Sequence, residues 1–306
     1  MKTPQPKEII MSNFAIDLGN FSVSKLSSSA LIVNLSLSVW TGRKLDKRVS
    51  EEVDQQNSTK TRAGNYHKNL LAGSSKLTEI TKIANAIRGW MYSVTQPWGD
   101  NGDRILNMAY FMEFKDRLTD YEGQFSSAVN NFLSDYDTLV AAAAFQLGDL
   151  FNREDYPTRE TIEAKFGFRY SMIPLPQSGD FRVDIGEDGL KQLQAQYESV
   201  LQQRVTGAMT EAWERLHDCL SRMSERLEDS DDGKRKIFRD SLVENAIEIC
   251  GLLKSFNITN DSRMDQMRKQ LEDAMRGVDA ESLRDSDSLR EQTKRKVDSI
   301  LSKFDL

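Results

Sequence analysis

This chain of 306 residues is poor in the residues that usually mark chemistry: it has two cysteines, two histidines and six prolines. Cys219 and Cys250 cannot build a disulfide framework, and each sits within a predicted helix, where it reads as a reduced core filler. His67 and His217 are too few for a histidine-based metal site unless carboxylates carry most of the ligation, so no metal is expected. No phosphate-binding glycine loop is present. Gly99, Gly102, Gly186 and Gly189 stand at turns without the spacing or the lysine such a loop needs. No serine or cysteine lies in a nucleophile motif. The acidic pair Asp231 and Asp232 falls at a helix junction, which a turn explains better than acid–base work. The expectation is a non-enzymatic protein with no catalytic residue and no cofactor. Long apolar runs are missing too. The most apolar stretch, Ala30 to Trp40, is broken by Asn34, Ser36 and Ser38 and is far shorter than the ~20 residues of a membrane span. No secretion signal is visible, so a cytoplasmic protein with no membrane partner is expected.

What the chain does have is charge and helical periodicity. Charged residues make up 29 % of it, hydrophobic ones 39 %, and the formal net charge is -6. That charge favours solubility and argues against wholesale coating of nucleic acid, while leaving room for a local basic patch. Low proline with abundant Glu, Gln, Lys, Arg, Leu and Ala favours helix. From Met108 to Phe151 an apolar seam recurs at steps of three and four. It runs through Phe111, Phe114, Leu118, Tyr121, Phe125, Ala128, Phe132, Tyr136, Leu139, Ala143, Leu147 and Leu150. This spacing predicts one helix roughly 65 Å long at 1.5 Å per residue. A second seam, from Leu190 to Leu227, predicts another long helix over Glu187 to Asp229, and the two are expected to pack against each other.

Shorter signals fill in the rest. Residues 1–28 mix prolines, a glycine and a serine run without periodicity and read as a flexible arm. Val33 to Val39 alternates as a strand does. Thr41 is placed to cap a helix carrying Leu45, Val49 and Val53. Helical spacing resumes at Leu70 and continues to Met91, and Pro97 to Gly102 breaks it. Alternation at Phe166 to Tyr170 and at Phe181 to Ile185, around a Pro- and Gly-containing turn, predicts a β-hairpin over about 166–185. Further helices are expected from Ile237 to near Asn257, from an Asn260/Asp261 cap to Gly277, and from Ala280 to Lys303. The fold class is mainly α: long antiparallel helices, bundle- or coiled-coil-like, with a small β-hairpin or three-stranded β element. The expected division is the arm, a helical domain over 29–257 and C-terminal helices over 258–306.

Two surfaces stand out. Trp40 precedes Arg43, Lys44, Lys47 and Arg48, four cations placed in the first turns of the predicted helix. There the macrodipole is already positive, and an anion would relieve the strain. Trp40 would then stack on a base or cover an apolar contact. The alternative is a solvated basic face beside a buried tryptophan. Met264, Met267, Leu271 and Met275 form a stripe that suits either an adaptable partner groove or simple core packing. The basic triplets Lys234–Lys236 and Lys294–Lys296 have acids nearby and read as solvated helix faces.

Four stretches together resemble a known pattern: Leu35 to Lys47, Gly64 to Leu71, Pro97-Trp98 with Gly102 and Arg104, and Asp180 to Asp184. The chain, over roughly residues 30–275, is similar to an uncharacterised domain family of tailed bacteriophages and integrative conjugative elements. That family has no assigned catalytic residues. Its members tend to be encoded near a MoxR-like AAA+ ATPase and a von Willebrand factor A protein, among genes for DNA metabolism. The resemblance implies an accessory or adaptor protein in a bacterial host, acting through protein contacts. A nucleic-acid-binding or single-strand annealing protein is the alternative, and self-association into a homo-oligomer stays open.

Overall fold

A computed structural model describes residues 23–99, 101–176, 186–228, 236 and 239–304. Of these, 70 % are helical, in ten helices, so the mainly α expectation holds. The strands form a four-stranded sheet and a separate two-stranded one. The chain divides into two compact units, both discontinuous in sequence. Unit 1 takes residues 1–34, 92–113 and 171–306, and unit 2 takes 35–91 and 114–170. The domain boundaries read from the sequence differ from this division, because the helices after residue 257 share a core with those before it.

Unit 2 is built on the first long seam. Helix α4 (Phe111–Leu147; α1 to α3 are given below) is bracketed by 3-10 turns at Met108–Tyr110 and Gly148–Leu150. Its buried positions repeat the predicted stripe, including Phe114, Leu118, Tyr121, Phe125, Ala128, Phe132, Tyr136 and Ala143. Asn107 starts the first turn by accepting the Ala109 N–H, and Gly148, at φ 50°, helps end the helix. At 1.5 Å per residue its 37 residues span about 55 Å. The stripe packs with Ile80, Ala84 and Ile87 of helix α3 (Ser75–Val94) and with Trp40, Leu70, Tyr156 and Ile162. Tyr156 donates to the Leu70 carbonyl at 2.6 Å, and Tyr136 donates to that of Pro157. The short helix α5 (Arg159–Glu163), capped by Thr158, contributes Ile162.

Unit 1 is built on the second seam, helix α6 (Gly186–Leu227). Leu201, Val205, Met209, Trp213, Leu216, Leu220 and Met223 are buried along it. They share a core with helices α7 (Ser241–Phe256), α8 (Ser262–Met275) and α10 (Asp287–Leu301). Asp261 caps α8 by accepting from Arg263 N–H, as its position predicted, and Gly277 beyond it has φ 71°. In the four-stranded sheet the order is β4 (Gln96–Pro97), β5 (Arg104–Asn107), β1 (Ala30–Ser38) and β6 (Gly167–Pro174). The antiparallel register sets Ala30 opposite Asn107 and Val33 opposite Arg104.

Several expectations are corrected. Each long seam is covered by elements of its own unit, whereas the sequence pattern sets one seam against the other. Residues 23–29 form helix α1 (Val23–Ser29) with Leu26 buried, so that end of the expected arm is structured; residues 1–22 lie outside the described set. One arm of the predicted hairpin is β6, and the other, Phe181 to Ile185, lies outside the described residues. Thr41 caps nothing: Arg43–Leu45 is strand β2, paired with β3 (His67–Asn69), and helix α2 (Lys47–Gln56) begins after Asp46. Asp46 is the stronger cap because its carboxylate reaches the Val49 N–H at 3.1 Å. The predicted last helix breaks into α9 (Ala280–Asp285) and α10, since Ser286 turns out and accepts the Leu289 N–H.

Candidate partner-binding surface

The two-stranded sheet of unit 2 is anchored by a buried lysine. Lys68 alternates out of phase with its exposed strand neighbours His67 and Asn69, which turns its side chain inward. Only 6 % exposed, it sits 2.8 Å from Asp155 and 3.2 Å from Asp46, and donates to the Leu150 carbonyl at 2.7 Å. The Val49 N–H, with help from Lys68, holds the Asp46 carboxyl below its usual range. Burial works to lower the Lys68 pKa, but hydrogen bonds to Asp155 and Asp46 outweigh it and the ammonium stays charged. One cation thus ties together β3, the cap of α2 and the Leu150–Asp155 segment that follows α4.

On this frame the four predicted cations are all exposed. Arg43 and Lys44 lie on β2, whereas Lys47 and Arg48 open α2. Lys44 lies 4.0 Å from Asp155, and Arg48 pairs with Glu52 at 3.3 Å and reaches the Asp149 carbonyl at 3.5 Å. The exposed Arg48–Glu52 pair is worth little, and Lys44 shares with Lys68 a carboxylate that Lys68 holds more closely. Among the described residues Arg43 and Lys47 form no ion pair. Arg43 also lines an open cleft of about 640 Å³ with Gly42, Gly73, Ser75 and Lys82. Within unit 2, residues 35–91 carry ten Lys or Arg against five Asp or Glu, and residues 114–170 carry six against ten, so the positive charge is local to the first segment.

Trp40 does not belong to this surface. It is 9 % exposed and packs against Phe132 and Tyr136 with ring centroids 6.2 Å apart in each case. A base cannot stack on it. The most exposed aromatic of unit 2 is Phe145, 93 % exposed near the end of α4, and Tyr66, 40 % exposed, is bonded through its backbone to Asp46 and Ser50. Phe145 sits among the exposed alanines 141, 142 and 144. Its neighbour Gln146 stands against Gly73 of the cleft, and Asp149, one turn further, is the residue Arg48 reaches. The sequence carried the signal: Phe145 falls between Ala143 and Leu147, out of phase with the seam.

In unit 1 the stripe Met264, Met267, Leu271 and Met275 is buried throughout, in the core with α6 and α7. It is packing and offers no groove. Sequence reasoning also missed a pair of arginines. Buried Arg104 donates to the Thr95 hydroxyl and carbonyl, each at 2.6 Å, and burial lowers its pKa. Arg215 donates to the carbonyls of Tyr92 at 2.7 Å and Ser93 at 3.0 Å, and pairs with Glu211. Together they satisfy carbonyls that the end of α3 leaves open. The cysteines behave as fillers: burial pushes the Cys219 thiol up to about 11 and that of Cys250 up to about 12. No group of three or more His, Cys, Asp or Glu side chains suited to a metal occurs among the described residues. Nor is any of their helices long and apolar enough to cross a membrane. No family model, no curated protein and no solved structure matches this chain.

Proposed function

We propose that the protein is a non-enzymatic accessory protein that works by binding, and that the cationic face of unit 2 is where it holds a nucleic acid. The carrying observation is the joint exposure of Arg43, Lys44, Lys47 and Arg48 on one anchored sheet and helix start. By contrast, buried Lys68, Arg104, Arg268 and Arg290 are each committed to a named structural bond. The family resemblance supports a phage or mobile-element setting in a bacterial cytoplasm. It also supports an adaptor role beside a MoxR-like AAA+ ATPase or a von Willebrand factor A protein. The Met264, Met267, Leu271 and Met275 stripe lies in the core, so such a contact needs another surface.

Phosphate binding releases counterions, so affinity must fall steeply with salt; four neutralised phosphates on a single strand give a log–log slope of about -3. The test is fluorescence anisotropy with a labelled 30-mer offered as single-stranded DNA, duplex DNA and RNA. The quadruple change of Arg43, Lys44, Lys47 and Arg48 to Gln should abolish binding and leave the melting temperature nearly unchanged. Absence of binding to all three at low salt rejects this function.

A further inference from the structure

We propose that the face selects single strands over duplex, with Phe145 as the side chain on which a base stacks; this rests on the nucleic-acid reading above. An almost wholly exposed phenylalanine is costly to leave in water, and large apolar side chains presented this way mark contact sites. On its N-terminal side the exposed residues are alanines 141, 142 and 144, which leave that side of the ring open, and Gln146 and Asp149 are exposed on the other. Arg48 reaches the carbonyl of Asp149, which follows Phe145 by four residues, just past the end of α4. Arg43 lines the cleft that Gly73 and thus Gln146 adjoin. An aromatic face beside a cationic track is the arrangement that takes successive unpaired bases while the charges follow the backbone. Duplex bases are already stacked on one another and give the ring nothing, so only the phosphate contacts remain for them. The four exposed cations Arg43, Lys44, Lys47 and Arg48 favour a polyanion over an apolar protein helix as the occupant.

The experiment compares a labelled oligo(dT) 20-mer with a 20-base-pair duplex on the full chain, for wild type and for Phe145→Ala, Phe145→Leu and Phe145→Trp. The expected result is that wild type binds oligo(dT) at least about 10-fold more tightly than duplex. Phe145→Ala should weaken oligo(dT) binding about 10-fold and leave duplex binding unchanged. Phe145→Leu, apolar but not aromatic, should behave like alanine, and Phe145→Trp should keep full affinity. Because residue 145 packs into no core, all three variants should melt with the wild type. Equal binding of strand and duplex by wild type, or an alanine variant with undiminished strand binding, overturns the stacking assignment while the four-cation reading survives. Binding of neither oligonucleotide removes both.

Discussion

Lys68 is the side chain that holds the cationic face in shape, because its two carboxylate partners come from separate stretches of chain. Lys68→Met keeps most of the volume but leaves the carboxylates of Asp46 and Asp155 without their cation. Breaking a buried pair in this way costs about 3 kcal/mol or more, which urea denaturation would register. The pH dependence has a definite sign. Asp46 is shifted below its ordinary value of 3.8, so its contribution is complete above that value and is lost as acid protonates it. Lys68 is shifted above its ordinary 10.5, so its contribution is complete below that value and is lost as pH climbs through the raised one. The contribution of this cluster should therefore be flat between about pH 4 and 10. The Lys68→Met variant should lose the alkaline fall-off, and a parallel pH profile for variant and wild type would refute the account. At this scale the sequence was legible for surface charge and not for burial. Arg43 to Arg48 were recognised from type and spacing, but nothing in Tyr66-His67-Lys68 reveals that its lysine faces inward until the strand is paired.

Among the elements, α4 was the most legible because its stripe is nearly unbroken over 37 residues. Proline in place of Ala128, mid-stripe, removes an internal hydrogen bond and clashes with the preceding turn. The expected cost is about 3 kcal/mol or more, with loss of ellipticity at 222 nm. An Ala128→Pro protein with wild-type stability would mean that this stretch is not a continuous helix. The short elements were poorly legible, for reasons of pairing. β2 and β3 have three residues each and are strands only because they pair with each other. A three-residue alternation is below what a pattern can resolve from helix. Gly42 gave no warning of the turn before β2, though its φ of 62° and the 2.7 Å gap from a Cβ there to Leu77 allow little else. The break between α9 and α10 hides behind charged residues that suit helix on both sides. Only the Ser286 cap shows it.

At the scale of the whole molecule the question is whether the helices after Asn257 are a docking tail or part of the body. Their apolar positions are widely spaced along the chain, and the surface they pack on is supplied by distant sequence. Met264, Leu271, Val297 and Ile300 are buried in the core that α6 runs through. Phe304 meets the Trp213 ring edge-on at 5.7 Å. Arg290 of α10 donates to the Leu227 carbonyl at 3.0 Å and to that of Arg226 at 2.9 Å, placing a cation at the negative end of α6. Truncation after Asn257 strips all of this at once and uncovers α6 along much of its length. Several such side chains, each worth about 1.5–3 kcal/mol when buried, exceed the whole margin of a typical domain. The shortened chain should therefore aggregate or lose its near-ultraviolet circular dichroism, and Trp213 fluorescence should shift to the red. Arg290→Ala, which removes one cap and leaves the helices in place, should lower the melting temperature without abolishing folding. A soluble truncated protein with native tryptophan spectra would show that α8 to α10 are dispensable to the fold and make them a docking tail.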